Sequence, residues 1–173
     1  CSLYARGGVD FIRRCARGTL PFTLIVKLHD WHWAPATNPV NWRAAISELQ
    51  NAHVRFAPGV NVVPYLYAAD ALVSDASSVA NEYLLLDRPI LWIDVPELIA
   101  KYEKTIDLDG WGRQTGRIIH SLDELLEAIP HALAHPSEFS DVRRKAAADI
   151  FYNKGCATEA FCNTLIHLLD ITC

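Results

Sequence analysis

Residues 71–95 read ALVSDASSVANEYLLLDRPILWIDV, and this stretch decides the fold. Its first apolar run ends at Ser74-Asp75, as a buried parallel strand ends at the carboxyl edge of a sheet. The next run, from Val79 to Leu86, predicts a helix that stops before Pro89, because proline cannot continue it. Residues 89–95 then predict a second buried strand. A strand, turn, helix and strand in this order indicate an α/β unit with parallel strands.

The turn between the first strand and the helix carries small polar residues. Ser77 or Ser78 would cap the helix, and Asp75 would anchor the turn through backbone N–H bonds or bind a ribose hydroxyl. Unpaired N–H groups give a helix N-terminus partial positive charge, which favours phosphate oxygens. Two interpretations stay open: the serines bind a phosphorylated ligand, or they only cap a helix.

The rest of the chain alternates strands with helices. We predict strands over residues 22–29, 60–63 and 117–120, a helical turn over 65–70, and helices over 9–16, 41–52, 96–102, 121–134, 140–153 and 158–170. The expected fold class is therefore α/β, a Rossmann-like parallel sheet with helices on both faces. Ligands of such sheets bind outside the carboxyl ends of the strands. That rule brings four chain segments together at one edge, namely residues 27–29, 64–65, 74–78 and 94.

Composition and charge exclude several classes of protein. The chain has 173 residues, of which 51% are hydrophobic, and this is enough to bury a core as one domain. Its net charge of −4, without a dense Lys and Arg cluster, argues against a nucleic-acid-binding surface. No apolar run reaches the 18 residues of a membrane span.

The cysteine pattern indicates reduced thiols in a cytoplasmic setting. There are five cysteines, an odd number, and none forms a C-x-x-C motif. A zinc site built from His29, Asp30 and His32 is the weaker interpretation, because Trp31 and Trp33 are typical of pocket walls. We therefore expect neither a metal nor another cofactor.

Residues 70–92, DALVSDASSVANEYLLLDRPILW, resemble the (T/S)-D-x-S-S-x-x-x-(D/E)-x-x-x-x-x-(K/R)-P-(I/V) segment of the CDP-glycerol glycerophosphotransferase family. Residues 24–29 are similar to that family's strand ending in K-x-H-P, and residues 151–157 extend the resemblance downstream. The resemblance covers roughly residues 20–168 in the right order. The sequence departs from the pattern at Asp30, where the family has Pro, and at Ala76, where it has an aromatic residue.

The resemblance implies a nucleotide-diphosphate donor, CDP-glycerol, whose phosphoglycerol unit passes to a polyol-phosphate or membrane-linked acceptor in teichoic acid biosynthesis. It implies that His29 is catalytic, that Lys27 assists it, and that Ser77 and Ser78 hold donor phosphates. A more distant likeness to UDP-N-acetylglucosamine 2-epimerases places Glu82 at a ribose. The enzyme would be cytoplasmic or peripheral at the inner face of the cell membrane.

Related enzymes have two Rossmann-like lobes in a GT-B arrangement, and these motifs belong to the carboxyl-terminal, donor-binding lobe. The chain contains no methionine, so we expect residues 1–173 to be a single donor-binding domain excised from a larger protein. The missing amino-terminal lobe would supply the general base, and the isolated domain would be inactive. Two alternatives stay open: a UDP-sugar glycosyltransferase or nucleotide-sugar epimerase lobe, and a non-catalytic binding domain.

Overall fold

The computed structural model describes residues 8–33, 40–102 and 112–169. The strands in these ranges are β1 Leu24–Val26, β2 Val54–Phe56, β3 Leu72–Ser74, β4 Ile90–Ile93 and β5 Arg117–Ile119. The α-helices are α1 Gly8–Ala16, α2 Trp42–Leu49, α3 Val63–Ala68, α4 Val79–Tyr83, α5 Pro96–Tyr102, α6 Leu122–Ala134, α7 Ser140–Ile150 and α8 Ala157–Leu168. Short 3₁₀ helices cover Asp30–Trp33, Leu84–Leu86 and Arg113–Thr115.

All the strand pairs of the described residues are parallel. β1 pairs with β2 in a two-stranded sheet, with Ile25 opposite Arg55. The second sheet has the order β3-β4-β5, with Val73 opposite Leu91 and Trp92 opposite Ile118. Helices connect the successive strands, as parallel pairing requires. The prediction of an α/β, Rossmann-like class is confirmed.

Helices cover both faces of the three-stranded sheet, and β4 shows this most directly because all four of its residues are buried. Leu91 and Ile93 join one apolar cluster, to which α1, α2 and α6 contribute. Ile90 and Trp92 point to the opposite face and pack with residues of α3, α4 and α7. Alternate side chains of a strand point to opposite faces, so a strand buried on both sides is apolar throughout.

The central unit over residues 71–95 forms as predicted. β3, α4 and β4 follow one another, and the end of the predicted helix over residues 84–86 tightens into a 3₁₀ turn. Asp87 ends this turn in the left-handed conformation with φ of 50°. Asp tolerates that conformation better than most residues, because its short side chain bonds locally. Pro89 directly precedes β4.

The predicted strand over residues 60–63 is wrong. Val62 has helical backbone angles, and α3 begins at Val63 with a proline in its first turn. The Asn61 side chain accepts the N–H of Val63 at 3.0 Å in an Asx turn, and Pro64 is favoured in the first turn of a helix, so the chain enters α3 here and forms no strand. The strand of this region is β2, whose three residues are too few to show a period.

Other predicted elements exist with shorter bounds. The strand over residues 22–29 is limited to β1, and the helices over residues 41–52 and 140–153 end at Leu49 and Ile150. Asn41 caps α2 as predicted, since its side chain accepts the N–H of Ala44. Ser121 does the same for α6 through the N–H of Glu124. Residue 170, the predicted end of the last helix, lies outside the described residues.

Candidate functional site

The turn between β3 and α4 presents the predicted phosphate-binding hydroxyls. The Asp75 carboxylate accepts the backbone N–H of Ala76 at 2.7 Å, which is the contact that a turn anchor makes. Ser77 Oγ accepts the N–H of Val79 at 3.4 Å, whereas Ser78 makes no side-chain capping bond. Ser78 already has helical backbone angles, and a capping side chain needs extended ones. Both serines are exposed at the carboxyl end of a strand.

Glu82 lies one helical turn after Ser78, so the two side chains share a face of α4. That face is exposed, while Ala80 and Tyr83 are buried on the other side. The Tyr83 hydroxyl donates to the Ala69 carbonyl at 2.8 Å, and burial raises the pKa of Tyr83 to about 12. The hydroxyl therefore stays protonated, and its hydrogen bond joins α4 to the end of α3.

Lys27 and His29 follow β1, at the carboxyl end of the two-stranded sheet. The Lys27 ammonium group donates to the Leu28 carbonyl at 2.9 Å. His29 is exposed, and its carbonyl accepts the backbone N–H of His32 at 2.9 Å and contacts His32 Nδ1 at 3.0 Å. The structure thus places the predicted site residues in two groups, one after β1 and one after β3, and their binding roles stay predictions.

Pro64 and Tyr65 do not end a strand. Both residues lie in the first turn of α3, so the expectation that they follow a strand over residues 60–63 is wrong. The Asx turn from Asn61 to Val63 directly precedes this helix.

A polar cluster at the carboxyl ends of β4 and β5 was only partly expected from the sequence. Asp94 follows β4 and accepts a hydrogen bond from Arg113 at 2.7 Å. Its second oxygen lies 3.0 Å from Nδ1 of His120, which follows β5. Arg113 and His120 were missed as site residues. The signal that could have found His120 is its position as the last residue of the strand predicted over residues 117–120.

Hydrogen bonds keep the acids of this cluster ionised. Burial alone would raise the pKa of Asp94, but the hydrogen bonds from Arg113 and His120 outweigh it and lower the pKa. The His120 backbone N–H, followed by the Arg117 guanidinium, lowers the pKa of Glu124. The cluster therefore combines a carboxylate with a guanidinium and an imidazole, groups that bind anions and move protons.

One concavity lies away from this chemistry. It has a volume of about 480 Å³, and it is lined by Asp70, Arg88, Pro89, Leu133 and Pro136. Pro89 precedes β4, so this concavity is at the amino edge of the sheet. One nitrogen of the Arg88 guanidinium donates to the carbonyls of Tyr67 and Ala69. We therefore assign the candidate site to the carboxyl edge.

Two further findings concern metals and membranes. Within residues 8–33, 40–102 and 112–169, no three His, Cys, Asp or Glu side chains gather in a way that could hold a metal ion. In the same ranges, no helix has both the length and the apolarity needed to cross a bilayer.

Burial raises the pKa of the Cys15 thiol to about 11, which keeps it protonated and a poor nucleophile.

The fold is that of an α/β protein whose strand-to-helix turn after β3 carries two exposed serines. The family model for CDP-glycerol:poly(glycerophosphate) glycerophosphotransferase matches residues 21–167, most of the chain, and the chain belongs to this family. It is thus a glycerophosphotransferase-type transferase. Neither the curated proteins nor the solved structures gave a match.

Proposed function

We propose that this chain is the donor-binding lobe of a glycerophosphotransferase, and that the donor is CDP-glycerol. The observation that carries the proposal is the turn after β3, where Ser77 and Ser78 are exposed on a chain of this family. Their hydroxyl groups are suited to hold the two phosphates of the donor.

In the proposed reaction, a hydroxyl oxygen of the acceptor attacks the phosphorus that carries glycerol. The bond from that phosphorus to the bridging oxygen breaks, and CMP leaves with the electron pair. The proton of the acceptor hydroxyl passes to a general base. Negative charge grows on the leaving oxygens, so hydrogen-bond donors fixed at that position accelerate the reaction. Ser77 and Ser78 supply such donors.

The other predicted residues take roles that fit their positions. His29 and Lys27 follow β1 and would place positive charge beside the donor phosphates. Glu82, on the exposed face of α4, would accept a hydrogen bond from a ribose hydroxyl of the nucleotide. Asp75 would hold the turn in shape through its bond to the N–H of Ala76.

The general base and the acceptor contacts would come from an amino-terminal lobe in a GT-B arrangement. The acceptor would be a polyol phosphate or a lipid-linked molecule at the inner face of the cell membrane. The enzyme would then work in the cytoplasm, or peripherally on that membrane.

The test is titration calorimetry of this chain with CDP-glycerol, CMP, UDP and UDP-N-acetylglucosamine. The Ser77→Ala, Ser78→Ala double variant should bind CDP-glycerol about ten- to a hundredfold more weakly, because two hydrogen bonds to anionic oxygens are lost. Ser137→Ala, an exposed serine at the opposite edge of the sheet, is the matched control and should bind normally.

Each outcome decides between the candidate functions. Cytidine-selective binding that the double variant loses supports the phosphoglycerol donor. A preference for uridine nucleotides moves the assignment to a UDP-sugar glycosyltransferase or epimerase. If the wild-type chain binds none of the four nucleotides, the proposal that this lobe holds the donor by itself is wrong.

A further inference from the structure

Asp94 and His120 form a dyad at the carboxyl ends of β4 and β5. Oδ2 of Asp94 lies 3.0 Å from Nδ1 of His120, and Oδ1 accepts a hydrogen bond from Arg113 at 2.7 Å. The side chains of Asp94 and Arg113 are 21% and 12% exposed, whereas that of His120 is 66% exposed. A mostly buried carboxylate thus holds an imidazole ring that faces solvent.

The partner of Nδ1 fixes which nitrogen of the neutral His120 ring carries the proton. A carboxylate can only accept, so Nδ1 donates and Nε2 keeps its lone pair. Among the residues that the structure describes, none forms a hydrogen bond or an ion pair with Nε2. A neutral Nε2 has no proton to offer to a phosphate oxygen, but it accepts a hydrogen bond from a hydroxyl group. His120 therefore presents a hydroxyl-binding atom to solvent.

Hydrogen bonds on both strands hold the dyad in place. The Asp94 backbone N–H donates to the Ile119 carbonyl at 2.8 Å, and the His120 backbone N–H donates to Glu124 Oε2 at 2.8 Å. The other oxygen of Glu124 is paired with Arg117 at 3.2 Å. Groups that are fixed before a ligand arrives bind it at a lower cost in conformational freedom.

The dyad shares a sheet edge with the turn that carries Ser77 and Ser78. β3, β4 and β5 are neighbours in one parallel sheet, so their carboxyl ends lie at the same edge. Neighbouring strands are about 5 Å apart, which places the end of β5 roughly 10 Å across the sheet from the end of β3. A diphosphate held at the turn after β3, with a glycerol unit attached to it, is long enough to reach His120.

We propose that the Asp94–His120 dyad recognises the glycerol unit of the donor, with Nε2 of His120 accepting a hydrogen bond from a glycerol hydroxyl. The dyad then distinguishes a donor that carries a polyol from the nucleotide alone. This assignment rests on the proposed function, because the donor is the source of the polyol. Ribose also carries hydroxyl groups on adjacent carbons, and ligands with and without glycerol separate the two sources.

His120→Asn removes the proposed contact and keeps the support behind it. The Asn amide reaches the place of Nδ1 and still donates to Asp94, but no atom takes the place of Nε2. Calorimetry should show about fivefold weaker binding of CDP-glycerol, because one hydrogen bond is lost. Binding of CDP, which has the same ribose and two phosphates but no glycerol, should be unchanged. His135→Asn, at the other end of α6, is the matched control and should bind both ligands as the wild type does.

Asp94 acts through His120, so its positioning role is measured on the ring itself. Nitrogen chemical shifts of His120 show which ring nitrogen carries the proton, and in the wild type this should be Nδ1. In Asp94→Asn, Arg113 can only donate and keeps the amide oxygen, so the amide nitrogen donates to Nδ1 and the ring proton moves to Nε2. A wild-type ring protonated on Nε2 would contradict the proposed orientation.

The outcomes separate this inference from the proposed function. A loss that affects CDP-glycerol but not CDP in His120→Asn supports the dyad as the glycerol contact. If His120→Asn binds CDP-glycerol as tightly as the wild type does, the dyad does not contact glycerol, while the proposed function stands. If the variant binds CDP and CDP-glycerol equally weakly, the contact is to the nucleotide and the inference is wrong. If the wild type does not bind CDP-glycerol, the donor assignment is wrong and the inference falls with it.

Discussion

Arg143 donates from Nε to Oδ1 of Asp87 at 2.9 Å, and the Arg143 side chain is 1% exposed. Its terminal nitrogen donates to the carbonyls of Asp87 and Pro136, and Ser140 Oγ donates to the other Asp87 oxygen. The bonds join the start of α7 to the left-handed turn that ends the central helix. A buried guanidinium is tolerated there because its donors have acceptors.

The Asp87→Asn variant should be strongly destabilised. Asn tolerates the left-handed backbone and still accepts a hydrogen bond, so the change removes mainly the charge that compensates Arg143. Breaking a buried ion pair costs about 3 kcal/mol in the free energy of unfolding. Urea denaturation measures this loss. Asp141→Asn is the matched control, since Asp141 pairs with the exposed Arg144. If Asp87→Asn and Asp141→Asn lower the free energy of unfolding equally, the burial of Arg143 does not make its ion pair the more important one.

Gly116 should not tolerate a side chain. A Cβ atom there would overlap the backbone carbonyl oxygen of Ile90, and backbone atoms of a central strand cannot move aside. Gly116→Ala should lower the free energy of unfolding, measured by urea denaturation, by an amount typical of severe overpacking, about 3 kcal/mol or more. Gly59 is the control, because its φ is positive but no atom lies within 4 Å. Gly59→Ala should cost only about 1 kcal/mol from backbone strain.

The parts of the fold that the sequence predicted depend on local signals. The apolar runs before Ser74 and after Pro89, and the capping side chains of Asn41 and Ser121, act within a few residues of where they stand. Those elements formed as expected. β2 was missed because three residues are too few to show a period, and strand pairing was needed to form it.

The contacts of the candidate site are not local. Asp94 meets Arg113 and His120 across 19 and 26 residues of chain, and β4 and β5 must pair before these groups approach. The sequence predicted which residue types lie at the edge, but not which of them touch.

The stability contributed by Asp94 should depend on pH. Its pKa is lowered in the folded protein, so its stabilising contribution is present above the unfolded pKa of about 4 and is lost as pH falls through the folded pKa. Asp94→Asn should therefore be less stable than the wild type at about pH 7, and the difference should shrink below about pH 4. Urea titrations across this range measure it.

Arg113→Gln should show the same trend, since Arg113 is the first of the two groups whose hydrogen bonds lower the pKa of Asp94. A difference between Asp94→Asn and the wild type that stays constant from neutral to acid pH would mean that the carboxylate is not stabilised by its partners in solution.

His29 is predicted to act on the donor, and this can be tested apart from the serines. His29→Gln should weaken binding of CDP-glycerol about tenfold, because a hydrogen bond to an anionic phosphate oxygen is lost. His167→Gln, an exposed histidine on α8, is the control and should bind as the wild type does. Unchanged affinity in His29→Gln would remove His29 from the donor site and leave the turn after β3 as its main contact.

Helix α8 contributes little to the stability of this chain, because none of its residues is buried. Leu168 is 73% exposed, whereas Leu125 of α6 is completely buried. Leu168→Ala should therefore change the free energy of unfolding by less than about 0.5 kcal/mol, while Leu125→Ala should cost about 2–5 kcal/mol. Urea denaturation of both variants tests this. A comparable loss in Leu168→Ala would show that α8 packs against something in solution, and a dependence of that loss on protein concentration would identify a second copy of the chain.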